Sequence, residues 1–515
     1  SAIWKVANAN NPGEWYDYTN KQWANAVTVQ SSKLATYKNK PGTVINNNDV
    51  LGYWVYIPRY AYEVQRPNAI DRVVTDEYPL PDNVYSPNPI DRNSHAIKNE
   101  FTIHFETVGK DTVKTAPATT CNSLAQNAST MWQGGVKDGN ATMQSSNLLA
   151  KDYRTSCGLN RIYQTSNQTG TTTWATHPAF IYGSNQLNGF WIAKFEMTGT
   201  ATQATVKPNQ RANQNELIGA LWTLSSSIGA GTYNPSANGG NEIRGISQNS
   251  HKLSLYRSRM IKNVEWGATA YLSSSKYGAG VNNVSMNTAL PNGGADRDGY
   301  VSRYGTTGCG PYSADRNPTV YTDGTQLNQA NYESLTACSS NKERAYNGTI
   351  GVLASTTNNI YGVYDMAGQD ADFVAGNATN SSTNPGFTPS FALTYPIVEP
   401  NINLYKTADG FGAGAPAWSV SSSQSLYNHD VCTWETCGGQ ALHETRRAQS
   451  PSSASCGWGS DWCDFANFQD SSNYLPWFSR GGYATNLQDG GIFTEAMDRG
   501  TGGDNHATRP ILYKP

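Results

Sequence analysis

Charge is scarce in this chain, and what there is cancels. Only 15% of its 515 residues are Asp, Glu, Lys or Arg, and 39 acidic against 37 basic side chains leave a net charge of −2 at pH 7. Such a surface has no basic field to attract nucleic acid or an anionic membrane, so nucleic acid is excluded as a partner. Long apolar runs are missing as well. The best, Gly52-Tyr53-Trp54-Val55-Tyr56-Ile57, is broken by Pro58 and Arg59, far short of the roughly 20 residues a membrane helix needs. No membrane span is expected. The basic and apolar parts of a signal peptide are also lacking, and the expectation is that a leader or anchor was removed or lies outside this sequence.

Catalytic spacings are equally hard to find. His95, His104, His177, His251, His429, His443 and His506 are scattered, with no H-E-x-x-H or comparable metal pattern. Ser273 and Lys276 match S-x-x-K, but in a serine run at the end of an expected helix. Gly410-Phe411-Gly412-Ala413-Gly414 lacks the following helix and ribose-binding acid of a dinucleotide site. No repeat of 20–50 residues appears, which argues against solenoids and propellers.

What the chain does have is aromatic surface in a neutral polar background. Thirty Tyr, 14 Trp and 13 Phe, 11% of the residues, lie among many Asn, Ser and Thr. Aromatics at that density bury areas that disordered chains do not. The composition fits an extracellular protein whose surface uses neutral polar groups in place of Lys and Glu. The eight cysteines fall into local groups: Cys121 with Cys157, Cys309 with Cys338, then Cys432, Cys437, Cys456 and Cys463. An even count in loop-rich sequence favours disulfides and an oxidising compartment. Pairings Cys121–Cys157 and Cys309–Cys338 are expected, with three options open for the last four. A zinc site in those four is the competing reading, but C-x4-C and C-x6-C are not the paired C-x2-C of zinc modules; buried free thiols are the other.

Along the chain, residues 1–45 read as an aromatic strand-and-loop lead-in, and 46–515 as a single domain with insertions at about 110–175 and 280–350. Residues 52–64, 101–108 and 189–196 carry strand patterns. Two helices stand out. The first is capped by Asn215, carries Leu217, Ile218, Leu221, Leu224 and Ile228 at helical spacing, and is stopped by Gly229; the second runs over about 258–273, with Met260, Ile261, Val264, Ala268 and Tyr271 on one face. Two helices among short strands, without βαβ alternation, give an α+β class.

The C-terminus places Trp477, Arg480-Gly481-Gly482, Phe493 and Arg509-Pro510 around short polar segments, the layout of a rigid frame presenting interchangeable side chains. Upstream lies Asn359-Ile360-Tyr361-Gly362-Val363-Tyr364-Asp365-Met366-Ala367-Gly368-Gln369-Asp370-Ala371-Asp372-Phe373. Together these resemble the N-x-x-G-x-Y-D-M-x-G-N-x-W-E-W, Arg-Gly-Gly and Arg-Pro elements of the formylglycine-generating-enzyme (sulfatase-modifying factor) superfamily, a variant of the C-type lectin fold. Met260 to Ala268, Tyr271-Leu272, Ser275-Lys276-Tyr277-Gly278 and His177-Pro178-Ala179-Phe180 extend the likeness to bacterial, archaeal and phage members. Matches run from about Gly52 to Leu512. Within the superfamily, the chain is most similar to the variable ligand-binding proteins of diversity-generating retroelements.

The resemblance implies a C-type-lectin-like fold of two main helices, short antiparallel strands and long loop insertions. It implies surface display on a cell or virion and adhesion through non-covalent binding of a protein or glycan ligand. The outward set would be Ser460, Asp461, Trp462, Asp464, Tyr483, Thr485, Asn486, Asp489, Thr494, Asp498, Asp504 and His506. The family often holds a structural calcium at the 359–373 element, where Asp372 stands at the Glu position; Gln369 and Ala371 replace the family Asn and first Trp. No other cofactor is implied. The enzymes of the family use a reactive cysteine pair after Arg-Gly-Gly, and residues 483–515 contain no Cys, so no catalytic residue is assigned. Two alternatives stand beside this reading: a structural subunit of a filament, surface layer or phage tail that self-associates, and an enzyme of the formylglycine-generating type. Intact-mass analysis after alkylation without reductant should detect no free thiol; modification of several cysteines would remove the extracellular assignment.

Overall fold

The computed structural model describes residues 4–65, 100–108, 175–182, 185–200, 203–214, 216–226, 228, 256–280, 284–285, 307–310, 344–379, 402–406, 439–441, 466–467, 477–482, 491–498, 500 and 506–514. These form a mixed α/β structure with few helices and mainly antiparallel sheets. A five-stranded antiparallel sheet has the order β1 (Asn25–Val29), β2 (Val50–Pro58), β8 (Gly189–Ala193), β18 (Pro510–Tyr513) and β11 (Arg257–Met260). A small sheet joins β4 (Glu100–Phe105), β3 (Tyr60–Gln65) and β5 (Ala175–Thr176), and two hairpins pair β6 (Ile181–Tyr182) with β7 (Asn185–Gln186) and β9 (Thr198–Thr200) with β10 (Gln203–Thr205). The third main sheet is mixed: β13 (Asn403–Lys406), β12 (Ala371–Thr379), β15 (Trp477–Arg480), β16 (Glu495–Asp498) and β14 (Ala466–Asn467), with β17 (His506–Thr508) also on β12. In it β12–β15 and β15–β16 are antiparallel, while β13, β17 and β14 add parallel pairings.

Helix α1 (Leu34–Tyr37) is a single turn; α2 (Ile218–Ser226) and α3 (Asn263–Ser273) are the two main helices. Every residue of α3 is buried, so it is a central helix with no solvent-facing stripe. Its start differs from the expected residue 258. Residues 257–260 pair with β18 instead, from Arg257 opposite Tyr513 to Met260 opposite Pro510. The apolar spacing that looked helical there serves a strand whose neighbours bury it. The helix begins where Glu265 Oε2 accepts the backbone N–H of Lys262 at 2.8 Å, satisfying a donor that no helical carbonyl can reach. The same carboxylate takes both terminal nitrogens of Arg259, which stacks on Tyr513 at 4.7 Å.

Helix α2 also departs from its expected face: Leu217, assigned to the apolar stripe, precedes the helix and is 42% exposed, whereas Ile218, Leu221 and Leu224 are buried. The expected strand 52–64 is two strands. It breaks at Arg59, which is 2% exposed and salt-bridged to Glu106 at 3.2 Å.

The N-terminal residues are built into this core. Trp23, fully buried, donates from its indole to Tyr277 O at 2.8 Å. The buried Lys194 ammonium donates to Asn25 Oδ1 at 2.7 Å, Ile360 O at 2.5 Å and Gly362 O at 3.0 Å, tying β1, β8 and the 359–364 segment together. Burial pulls its pKa well down, while three acceptors hold its three protons in place.

Gly267 marks the tightest approach to α3. A Cβ there would lie 2.0 Å from Gly439 O and 2.9 Å from Gln440 C. In an open helix Gly→Ala stabilises by about 1 kcal/mol; here the overlap is with backbone, and Gly267→Ala is expected to destabilise by about 1–3 kcal/mol. Thermal unfolding checks this, and an unchanged or raised Tm would show that residues 439–441 do not sit on the helix.

Candidate functional site

Arg509 occupies the junction between two sheets, with β17 ending at Thr508 and β18 starting at Pro510. It is fully buried, and so is its partner Asp372 at the start of β12; Arg509 Nε donates to Asp372 Oδ2 at 2.7 Å. Its remaining nitrogens reach Ala193 O at 3.2 Å and Asp365 O at 3.1 Å. The guanidinium also stands 5.7 Å from the Trp266 ring, and Arg480 stands 5.9 Å from the same ring. Trp266 therefore receives two cations on its π system, while its indole N–H donates to Ile492 O at 2.8 Å. Arg480 in turn donates to Gln440 O at 3.2 Å and Ala441 O at 3.3 Å.

The chain leaves β15 through Gly481 and Gly482, at φ +85° and +68°, a region L side chains rarely adopt. A Cβ on Gly481 would also come within 3.3 Å of Met366 O and the Trp266 ring. Gly481 then closes a neck: its N–H donates to Thr494 O at 3.1 Å, and its carbonyl accepts from Gly491 N at 3.2 Å. Residues 483–490 thus leave and return through one fixed base.

A second neck lies at the ends of β16 and β17. Asp498 Oδ2 is 3.7 Å from His506 Nε2, Asp498 Oδ1 accepts Gly500 N at 2.7 Å, and the His506 ring stacks on Phe373 with centroids 4.7 Å apart. Their side chains are 28% and 15% exposed. Burial pulls the His506 pKa down, with Asp498 opposing.

Of the twelve residues expected to face outward, the structure brings Asp498 and His506 together. Thr494 is placed differently: it is 2% exposed and forms part of the Gly481 neck, so its side chain faces inward. Ser460, Asp461, Trp462, Asp464, Tyr483, Thr485, Asn486, Asp489 and Asp504 lie outside the described residues. Of the cysteines, Cys309 is described; it is 3% exposed and disulfide-bonded to a residue outside the described set. Cys121, Cys157, Cys338, Cys432, Cys437, Cys456 and Cys463 lie outside it.

The calcium expected at Asp372 does not fit the geometry. One carboxylate oxygen is held by Arg509, whose guanidinium would repel a divalent cation, and among the described residues no three His, Cys, Asp or Glu side chains are grouped to hold an ion.

Sequence reasoning did not anticipate the acids around this pair. Asp365, Asp370 and Asp372 are all fully buried, as is Glu196 just beyond β8. Asp365 Oδ2 accepts Thr307 Oγ1 at 2.5 Å and Gly308 N at 2.6 Å; Asp370 Oδ2 accepts Gln214 Nε2; and Glu196 Oε1 accepts Asp370 N at 3.2 Å. Glu196 Oε2, Asp370 Oδ1 and Asp372 Oδ1 have no partner among the described residues. Burial pushes Asp372 up to about 6, with Arg509 holding it down. Burial and then neighbouring carboxylates push Glu196 well up; Asp370 is raised first by burial, against the Gln214 hydrogen bond. The three aspartates within eight residues were a readable signal; Glu196 carried none.

No family model matches the chain, and no curated protein matches it in sequence.

A carboxyl group with a raised folded-state pKa binds its proton more tightly when folded. Its favourable contribution is complete below its unfolded value, near 3.8, and is lost as pH climbs through the folded one. Asp370→Asn removes the buried charge and keeps an oxygen for Gln214. The variant should gain more Tm over wild type at pH 8 than at pH 5; an equal gain, or a loss, at both would show that Asp370 does not oppose folding as a charge.

Proposed function

We propose that the chain is a non-enzymatic, surface-displayed protein of the C-type-lectin-like, formylglycine-generating-enzyme type, binding a protein or glycan ligand through C-terminal segments held on a rigid frame. The observation that carries this is the pair of fixed necks. Gly481, Gly491 and Thr494 hold the two ends of 483–490 together by backbone hydrogen bonds, and Asp498 and His506 stand side by side at the ends of 499–505. Behind them Trp477, Arg480, Phe493 and Arg509 are at most 1% exposed. A base locked by buried aromatics and guanidinium groups lets the bracketed residues change without disturbing the core, which is what a binding surface of interchangeable side chains requires. Tyr and Trp supply contact area at low rotamer cost and Asn, Asp, Ser and Thr adaptable hydrogen bonds, as in antibody paratopes.

The absence of any cysteine after Cys463 supports a binding role over the family's oxidase chemistry. Purified protein should therefore leave a sulfatase-type cysteine peptide unconverted with or without copper, and turnover above a metal-only blank would overturn the reading. The positive test replaces Trp462 and Tyr483 with Ala. Each should keep the wild-type Tm and lose about 2 kcal/mol of attachment, roughly 30-fold in affinity, measured on the native host surface. Collapse of the fold would make these aromatics core, and unchanged attachment would move the site elsewhere.

A further inference from the structure

We propose that the open edge of β1 is a second binding site, one that takes an extended peptide strand of a partner protein onto the five-stranded sheet. In the order β1-β2-β8-β18-β11, β1 pairs on one side only among the described residues. Which of its backbone groups face outward follows from the register. Tyr56 N donates to Ala24 O at 2.9 Å, and antiparallel pairing alternates, so Ala26 opposite Trp54 and Thr28 opposite Gly52 also turn toward β2. Asn25 and Val27 then direct their N–H and C=O groups away from the sheet. No described residue pairs with those four groups.

The strand lacks the usual protection of an edge. Asn25-Ala26-Val27-Thr28-Val29 contains neither charge nor proline, and only the irregularity between Thr28 and Val29 breaks its pairing pattern. Hollows flank it on both faces of the sheet. Ala26 shares a face with Trp54, and that side holds an apolar pocket of about 150 Å³ lined also by Trp191 and Leu512. Val27 shares the other face with Tyr53, where a groove of about 860 Å³ is lined also by Tyr37 and Ile45.

An incoming strand sends successive side chains to opposite faces, so its alternate residues would enter the two hollows while its backbone completes Asn25 and Val27. Strand addition draws affinity from such main-chain bonds and specificity from such pockets. The occupant is therefore an uncharged extended segment, with an aliphatic side chain for the Trp54 pocket and bulkier ones for the Tyr53 groove. A second copy of β1 fits poorly: centred on Val27, it offers nothing larger than Asn or Val to a groove of about 860 Å³.

The test pans a displayed random heptapeptide library against the full chain and measures the selected peptides by calorimetry. Enriched peptides should alternate, with apolar residues at every second position, and should lose at least about tenfold in affinity for Val27→Pro. That proline removes an outward N–H that β2 does not use, a position at which edge strands tolerate it, and Tm checks that the fold is kept. As a measurement that leaves the protein intact, replacing one backbone N–H of the peptide by an ester should cause a comparable loss. The proposal falls if no peptide is enriched, or if binding survives both changes. It also falls if the wild type is a dimer that Val27→Pro dissociates, since the edge would then belong to a second copy.

Discussion

The ion pair between Arg509 and Asp372 is the constraint on which the rest of the structure turns. Arg509 is the single residue between β17, in the mixed sheet, and β18, in the five-stranded sheet. Its side chain reaches Asp372 on β12, the carbonyl of Ala193 on β8 and that of Asp365. One guanidinium thus holds both sheets and the turn that precedes β12. A buried charge stripped of its partner typically costs about 3–5 kcal/mol, so each sheet is oriented by what this cation needs. Trp266 couples the arrangement to α3, because its ring faces Arg509 and Arg480 while its N–H holds the chain at Ile492.

The same site carries more negative charge than its cation neutralises. Glu196, Asp365, Asp370 and Asp372 are fully buried, and Arg509 is the guanidinium bonded directly to one of them, Asp372. Asp365 is satisfied by Thr307 and the N–H of Gly308, whereas Glu196 and Asp370 keep one oxygen each without a described partner. Repulsion and desolvation raise their affinity for protons, which costs stability at neutral pH. What is gained is conformational definition, since the turn between residues 365 and 370 passes through positive φ at Asp365, Gly368 and Gln369 and is held by these polar contacts.

Rigidity of that kind sets the character of the surface above it. Both C-terminal excursions spring from residues fixed by backbone bonds or buried rings, so substitution within them does not propagate to Trp477, Arg480 or Arg509. The β1 edge is built on a different principle: there the backbone supplies the contacts, and the side chains of β2 and its neighbours shape the hollows on either side.

The sequence by itself carried the class of structure and its frame. Aromatic density announced a folded core, the scarcity of βαβ alternation announced α+β, and the anchors Trp477, Arg480, Phe493 and Arg509 were visible as isolated large groups in polar surroundings; all four are buried. Those features are legible because they depend on composition and short spacing. Tertiary pairing decided the rest. Residues 257–260 have a helical apolar rhythm but become β11, because β18, some 250 residues later in the chain, offers its hydrogen bonds. Asp372 looks like a cation ligand until Arg509 is folded against it, and Thr494 looks like a surface threonine until Gly481 captures its carbonyl. Such outcomes rest on contacts between residues far apart in sequence, whose partners no local pattern names.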